Sequence, residues 1–345
     1  MVRLGLLGSG FVATFYEQGL RDVPDQQVVI NYSRSEDRAK AFAAEWGIPR
    51  ATTRMEDVVE SDEVDLVLIA LPNHLHREAA LMCAAAGKDM VCTKPLARNA
   101  NEARDMLEAA ASAGVINGYA ETEVFSPAVM QTRKMIDDGA LGEVLSVRSR
   151  ESHFGPHSPH FWDPELTGGG ALNDMGCHCI SAALYFLEGQ ARPVECLAWG
   201  ELLYHRDKTR AEDNAVLLLR FDGGQMSVTE TSWSAHGGLD LRNEVYGTEG
   251  VAFTDVTRST PMRAFTTVGA GYIVEKAEAE TGWVYPCVDE ARVYGYHEEM
   301  RHFVECKAKG MTPRQTFADG YLVNLILDAA YRSMKSKRWE PIPEV

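Results

Sequence analysis

The chain has 345 residues, 45% of them apolar and 24% charged, which is enough for two hydrophobic cores and ordinary for a globular protein. Its net charge of −16 argues against nonspecific nucleic-acid binding, which depends on Lys and Arg neutralising phosphates. No uncharged apolar run reaches the ~18 residues of a membrane span, the opening MVRLGLLGSG is too glycine-broken for a secretory signal, and seven irregularly spaced cysteines make no disulfide framework, so a cytoplasmic protein with reduced thiols is expected.

Over residues 1–120, Val-, Ile- and Leu-rich runs at 2–7, 27–32, 64–71 and 88–91 predict strands. Amphipathic helices are expected between them at 11–21, 35–46, 76–86 and 101–113, with Ser35 as a cap and Gly47 as a stop for the second. Strand and helix in alternation imply an α/β domain with a doubly wound parallel sheet. Beyond Gly118 the pattern changes. A helix over 126–138 precedes alternating runs at 143–152, 194–203, 214–221, 224–233 and 241–247, with a tight turn at Asp222–Gly224. Residues 121–345 therefore read as an α+β domain with an open, mostly antiparallel sheet. Helices return at 296–308 and 316–333, the last able to pack back on the first domain.

Gly8, Ser9, Gly10, Phe11 and Val12 follow the first strand, and Gly8-x-Gly10-x-x-Ala13 has the spacing of a dinucleotide cradle. The two glycines permit the tight turn and close approach to a diphosphate, and Ala13 permits close helix–sheet packing. An NAD site usually has a carboxylate after the second strand. Here that place holds Ser33 and Arg34, with Arg38 one helical turn on, which suits a 2′-phosphate and predicts NADP(H) over NAD(H). Leu71, Pro72, Asn73 and His76, and then Thr93, Lys94 and Pro95, belong at or near strand ends on the same edge of the sheet as the glycines.

In GGGALNDMGCHCISAALYFL (168–187), Asp174 and His178 are four residues apart and are expected on one face of one helix. Cys177, His178 and Cys179 diverge by about 100° each on a helix and cannot close round one ion, so no metal is expected. His153, His157 and His160 lie in a Pro- and Gly-rich loop suited to a polar pocket. Trp162, Asp163, Trp233, Trp283 and Tyr285 are candidates for a substrate wall or for core packing.

GSGFVA, LPNHLHREAALMCAAAGKDMVCTKPLA, DDGALGEV, GGGALNDMGCHCI, VYGTEG and YHEEMRHFVECKAKG together resemble the glucose–fructose oxidoreductase and inositol dehydrogenase (Gfo/Idh/MocA) family, over nearly the whole chain. The resemblance implies a Rossmann domain, a C-terminal α/β domain with an open sheet, a tightly held nicotinamide cofactor, and dimers or tetramers. It places Lys94-Pro95, Asp174 and His178 on the family's lysine-proline, aspartate and histidine. The family's usual Glu before the lysine is Thr93 here, which removes a carboxylate that would favour the ammonium form of Lys94.

The chemistry expected is hydride transfer to or from a secondary alcohol of a sugar or cyclitol. His178 would be the base, Lys94 would stabilise the reacting oxygen, and Asp174 would orient His178 or grip a neighbouring hydroxyl. Two alternatives stand beside it: redox-neutral glycoside hydrolysis with a recycled cofactor, and a nicotinamide-sensing regulatory protein without turnover.

Overall fold

A computed structural model describes residues 1–257 and 262–344. The chain divides into two compact units, Met1–Glu121 with Tyr296–Asn324, and Thr122–Gly295 with Leu325–Val345.

The first unit contains a six-stranded sheet: β1 (Val2–Leu7), β2 (Gln26–Tyr32), β3 (Arg50–Thr52), β4 (Leu66–Ile69), β5 (Asp89–Thr93) and β6 (Asn117–Ala120). Every pairing is parallel and the order is β3-β2-β1-β4-β5-β6. Helices α1 (Phe11–Leu20), α2 (Glu36–Trp46), α3 (Glu56–Val59), α4 (His76–Ala85) and α5 (Ala100–Ala113) connect the strands. All four residues of β4 are buried, the continuous apolar run of a strand covered on both faces. Ser35 accepts a hydrogen bond from the Arg38 amide, and Asn99 does the same for Glu102, which sets the starts of α2 and α5. The order reverses between β1 and β4, where the carboxyl ends of a doubly wound sheet open a crevice. Two strands differ from the sequence expectation by being present at all. β3 is three residues long and mostly exposed, and β6 reads Asn-Gly-Tyr-Ala, so neither carries a β-branched apolar run.

The second unit contains a seven-stranded sheet with order β12-β11-β7-β10-β9-β8-β15: β7 (Val144–Ser152), β8 (Pro193–Glu201), β9 (Asn214–Phe221), β10 (Met226–Ser232), β11 (Asp240–Gly247), β12 (Val251–Asp255) and β15 (Glu340–Pro341). Only β7 and β10 pair in parallel; the other neighbours are antiparallel. The turn at Asp222–Gly224 joins β9 to β10, with Gly224 at φ +92°. β13 (Ala264–Thr266) and β14 (Gly282–Val284) form a separate ribbon. Helices α6 (Pro127–Asp137), α7 (Pro164–Thr167), α8 (Ala171–Asp174), α9 (Gly176–Leu187) and α10 (Glu290–Tyr294) complete the unit. α9 packs on β7 and β10. The covered face is apolar and small-polar (Val147, Ser149, Ala215, Leu217, Ser227, Thr229), whereas Trp199, Met226 and Phe253 are exposed.

In the first unit, α11 (Tyr296–Lys309) stacks Tyr296 on Phe15 of α1 at 4.7 Å and pairs Lys307 with Asp89 at 2.6 Å. The side-chain amide of Asn324, in α12 (Phe317–Ser336), brackets the backbone of Ala97. Among the described residues no helix is long and apolar enough to cross a membrane.

Candidate functional site

In the first unit the loop after β1 turns at Gly8, whose φ is +138° and whose added Cβ would lie 2.2 Å from the Ala70 carbonyl oxygen. Only glycine fits there. A Cβ at Gly10 would meet nothing within 4 Å, so the amide end of α1 is open. Ala13 is fully buried beneath it, Val12 is half-buried and Phe11 is exposed. Ser33, buried at the end of β2, receives a 2.8 Å hydrogen bond from the Ser9 hydroxyl, which ties that strand end to the glycine turn. Arg34 and Arg38 are exposed.

Leu71, Pro72 and Asn73 follow β4, Thr93 closes β5, and half-buried Lys94 precedes Pro95 through a cis bond. His76 departs from its expected role at the cofactor. Its ring is fully buried, with Nε2 2.7 Å from the Leu71 carbonyl and Nδ1 3.1 Å from that of Pro95. Packing has made it a strut between two strand ends, leaving no ring surface for a ligand.

In the second unit Gly169 and Gly170 bring the chain against Tyr331 and Glu212. A Cβ at Gly169 would overlap the Tyr331 hydroxyl, and one at Gly170 would lie 2.0 Å from the Glu212 carbonyl oxygen. Glu212 accepts from the Leu172 amide at 3.0 Å and from Tyr331 at 3.0 Å, which pins the start of α8. Burial raises the Glu212 carboxyl. Asp174 is the last residue of α8 and His178 lies in α9, the two helices separated at Met175 (φ −107°). The single helix expected from the sequence is therefore broken between four-residue α8 and twelve-residue α9.

Asp174 is 4% exposed and accepts a 3.1 Å hydrogen bond from Trp233 Nε1. Trp233 is fully buried with Ala171 and Met175, and Trp162 packs edge-on at 5.6 Å. Trp233 thus belongs to the core and holds a carboxylate, in contrast to the sugar-facing wall considered from the sequence; close packing leaves its ring no free face. His178 Nε2 lies 3.9 Å from Glu151 Oε2, both side chains being buried. His153 is buried and packs edge-on against His157 at 4.9 Å. Burial, helped by His157, pushes His153 down to about 3, so its ring is neutral at ordinary pH. His157 pairs with Glu275. Burial pulls Glu275 upward, but the hydrogen bond and charge of His157, together with His153 and Lys276, hold it below the usual carboxylate range.

The remaining wall candidates are scattered. Lys208 lies over the Trp162 ring at 5.2 Å, and exposed Asp163 caps α7. His160 packs on Phe161. Trp283 meets Phe265 across the β13–β14 ribbon, and Tyr285 beyond it is half exposed.

Sequence reasoning missed Glu151, Glu275 and Lys276. Alternation along β7 puts Glu151 on the covered face with Val147 and Ser149, and an acid at a core position was a usable signal. Glu275 and Lys276 lie in irregular chain, where periodicity says nothing.

Residues 2–120 match the family model described as an oxidoreductase family with an NAD-binding Rossmann fold (GFO/IDH/MocA), and residues 129–253 match its C-terminal domain model. Levoglucosan dehydrogenase of Pseudarthrobacter phenanthrenivorans is 27% identical, the alignment covering 100% of this chain and 99% of that protein. Trans-1,2-dihydrobenzene-1,2-diol dehydrogenase of Mus musculus is 31% identical over 73% of this chain and 74% of its own length. The solved structure of GenD2 from gentamicin A biosynthesis, in complex with NAD, superposes with a TM-score of 0.93 at 28% identity, over 99% of this chain and 97% of that one.

Proposed function

The chain belongs to the Gfo/Idh/MocA family of oxidoreductases, and from that premise we propose that it transfers hydride between NADP(H) and a secondary alcohol or ketone of a sugar or cyclitol. The observation that carries the reading is the buried bond from the Trp233 indole to Asp174, four residues before His178. A core tryptophan spends its one donor on a carboxylate, which fixes that carboxylate for use.

A dinucleotide fits the cradle, because Gly8 closes on Ala70 while Gly10 leaves the α1 amides open to a diphosphate. When bound, the nicotinamide supplies the hydride acceptor or donor. His178 takes the hydroxyl proton as the alcohol is oxidised, and Glu151 stabilises the imidazolium that forms. Lys94 stabilises negative charge on the reacting oxygen. Asp174, held by Trp233, grips an adjacent hydroxyl of the substrate. Dehydrogenases named for levoglucosan and a dihydrobenzenediol stand among its relatives, which supports a substrate rich in hydroxyls.

The NADP(H) preference rests on β2 being followed by Ser33 rather than a carboxylate, with Arg34 and Arg38 exposed beyond it. Association through the face of the large sheet that exposes Trp199, Met226 and Phe253 accounts for a dimer or tetramer. Free cysteines, six of the seven buried, suit the reducing cytoplasm.

The test is His178→Asn assayed against a polyol panel. Loss of turnover by about a hundredfold or more, with NADPH affinity unchanged, is expected of a general base; near wild-type kcat at neutral pH removes His178 from the mechanism. A fluorescence titration in which NADH binds tenfold more tightly than NADPH overturns the cofactor preference.

A further inference from the structure

Two stretches of irregular chain meet in the second unit, and charge holds them together. The first, residues 153–157, leaves β7 and is anchored by its backbone: the His153 amide donates to the Ser232 carbonyl at 3.0 Å and the Gly155 amide to that of Trp233 at 2.8 Å. The loop is thereby fixed to the strand end whose indole holds Asp174.

The second stretch, residues 273–276, is anchored from behind. Glu290 accepts from the Glu275 amide at 2.6 Å, from Tyr272 at 2.6 Å and from Tyr294 at 2.9 Å. The Cys287 amide donates to the Ile273 carbonyl at 3.0 Å. From this base Glu275 reaches His157, and Lys276 Nζ donates to the carbonyls of Gly155 at 2.7 Å and Pro156 at 2.9 Å. Lys276 makes these bonds from a left-handed backbone conformation, φ +60°, which a residue with a side chain seldom adopts. Within this cluster Nδ1 of His153, 1% exposed, has no hydrogen-bond partner among the described residues. The charge of Asp174 acts on both His153 and Lys276.

We infer that Glu275 and Lys276 are positioning residues for substrate recognition: together they hold the 153–157 loop so that His153 and His157 meet a hydroxyl of the polyol other than the one oxidised. The inference rests on the dehydrogenase reading above and deepens it by assigning a second recognition point. A substrate with at least two hydroxyls on neighbouring or nearby carbons fits, and a simple secondary alcohol does not. In this assignment the two residues act through the loop they hold.

The experiment compares wild type, Glu275→Gln and Lys276→Met, each with cofactor, on the polyol turned over and its monodeoxy analogues. Losing the charge on Glu275, or both hydrogen bonds from Lys276, should raise KM by about tenfold while kcat stays within about twofold. Discrimination against one deoxy analogue should also shrink by about fivefold or more, because the loop no longer reads that hydroxyl. If all analogues lose activity in proportion and discrimination is unchanged, the residues are merely structural and the inference falls.

Hydrogen exchange of residues 153–157, read without substrate, should speed up by about tenfold or more in Lys276→Met. Unchanged exchange also overturns the inference. Glu275→Gln keeps the side-chain shape and carries the test if Lys276→Met fails to fold. Wild type that binds the dinucleotide but oxidises no polyol refutes the dehydrogenase reading, and the exchange comparison still decides whether the loop is held.

Discussion

Glu17 lies on α1, behind the glycine turn, with 8% of its surface exposed. Its Oε1 has no hydrogen-bond partner among the described residues, and burial raises its carboxyl from 4.5 to about 7. The folded chain therefore keeps this proton to near neutrality, while the unfolded chain releases it near the ordinary carboxylate value. Stability is full below pH 4.5 and is lost as pH rises through 7. A shift of about 2.5 units corresponds to about 3.4 kcal/mol at full development, at ~1.36 kcal/mol per unit. Glu17→Gln preserves the shape and removes the ionisation. Relative to wild type it should gain about 2.5 kcal/mol of stability between pH 5 and pH 8, most of the linkage developing in that interval. Guanidinium denaturation of the cofactor-free protein at the two pH values, followed by circular dichroism, measures the difference. An equal effect of the substitution at pH 5 and pH 8 refutes the reasoning, because it means the carboxyl is solvated or partnered in the folded state.

Two further substitutions probe the second unit. Trp233→Phe removes the indole donor to Asp174; loss of a hydrogen bond to a charged group corresponds to about 2 kcal/mol, so kcat/KM should fall by about thirtyfold. An unchanged kcat/KM would show that Asp174 is held by other means. Glu151→Gln removes the charge 3.9 Å from His178. The gross attraction at that separation is on the order of 4 kcal/mol, much of it offset by desolvation, so kcat should drop by about tenfold with KM little altered. A drop confined to KM would place Glu151 in binding instead of proton transfer.

Local sequence carried far in the first unit. The apolar runs of β1, β2, β4 and β5, the cap at Ser35 and the spacing of Gly8, Gly10 and Ala13 are features of neighbouring residues, so periodicity and turn chemistry expose them. β3 and β6 escaped because they are short strands whose pairing partners, not their own side chains, make them strands.

Lys94, Asp174 and His178 were named from residue type and motif, and the roles proposed for them rest on that reading. Their surroundings were decided by tertiary structure. A break at Met175 separates Asp174 from His178, a tryptophan 59 residues away holds the aspartate, and Glu151 approaches the histidine from a strand. His76 looked like a crevice residue and became a buried strut because carbonyls from two other strand ends converge on its ring. Glu275 and Lys276 meet the 153–157 loop more than a hundred residues from it in sequence. Periodicity records which face of an element is buried, and so it exposed the apolar strands of the two sheets, while glycine spacing exposed the turn after β1. It carries no record of which distant polar groups share a buried volume, and those partnerships, set by packing and desolvation, decide what Asp174 and His178 can do.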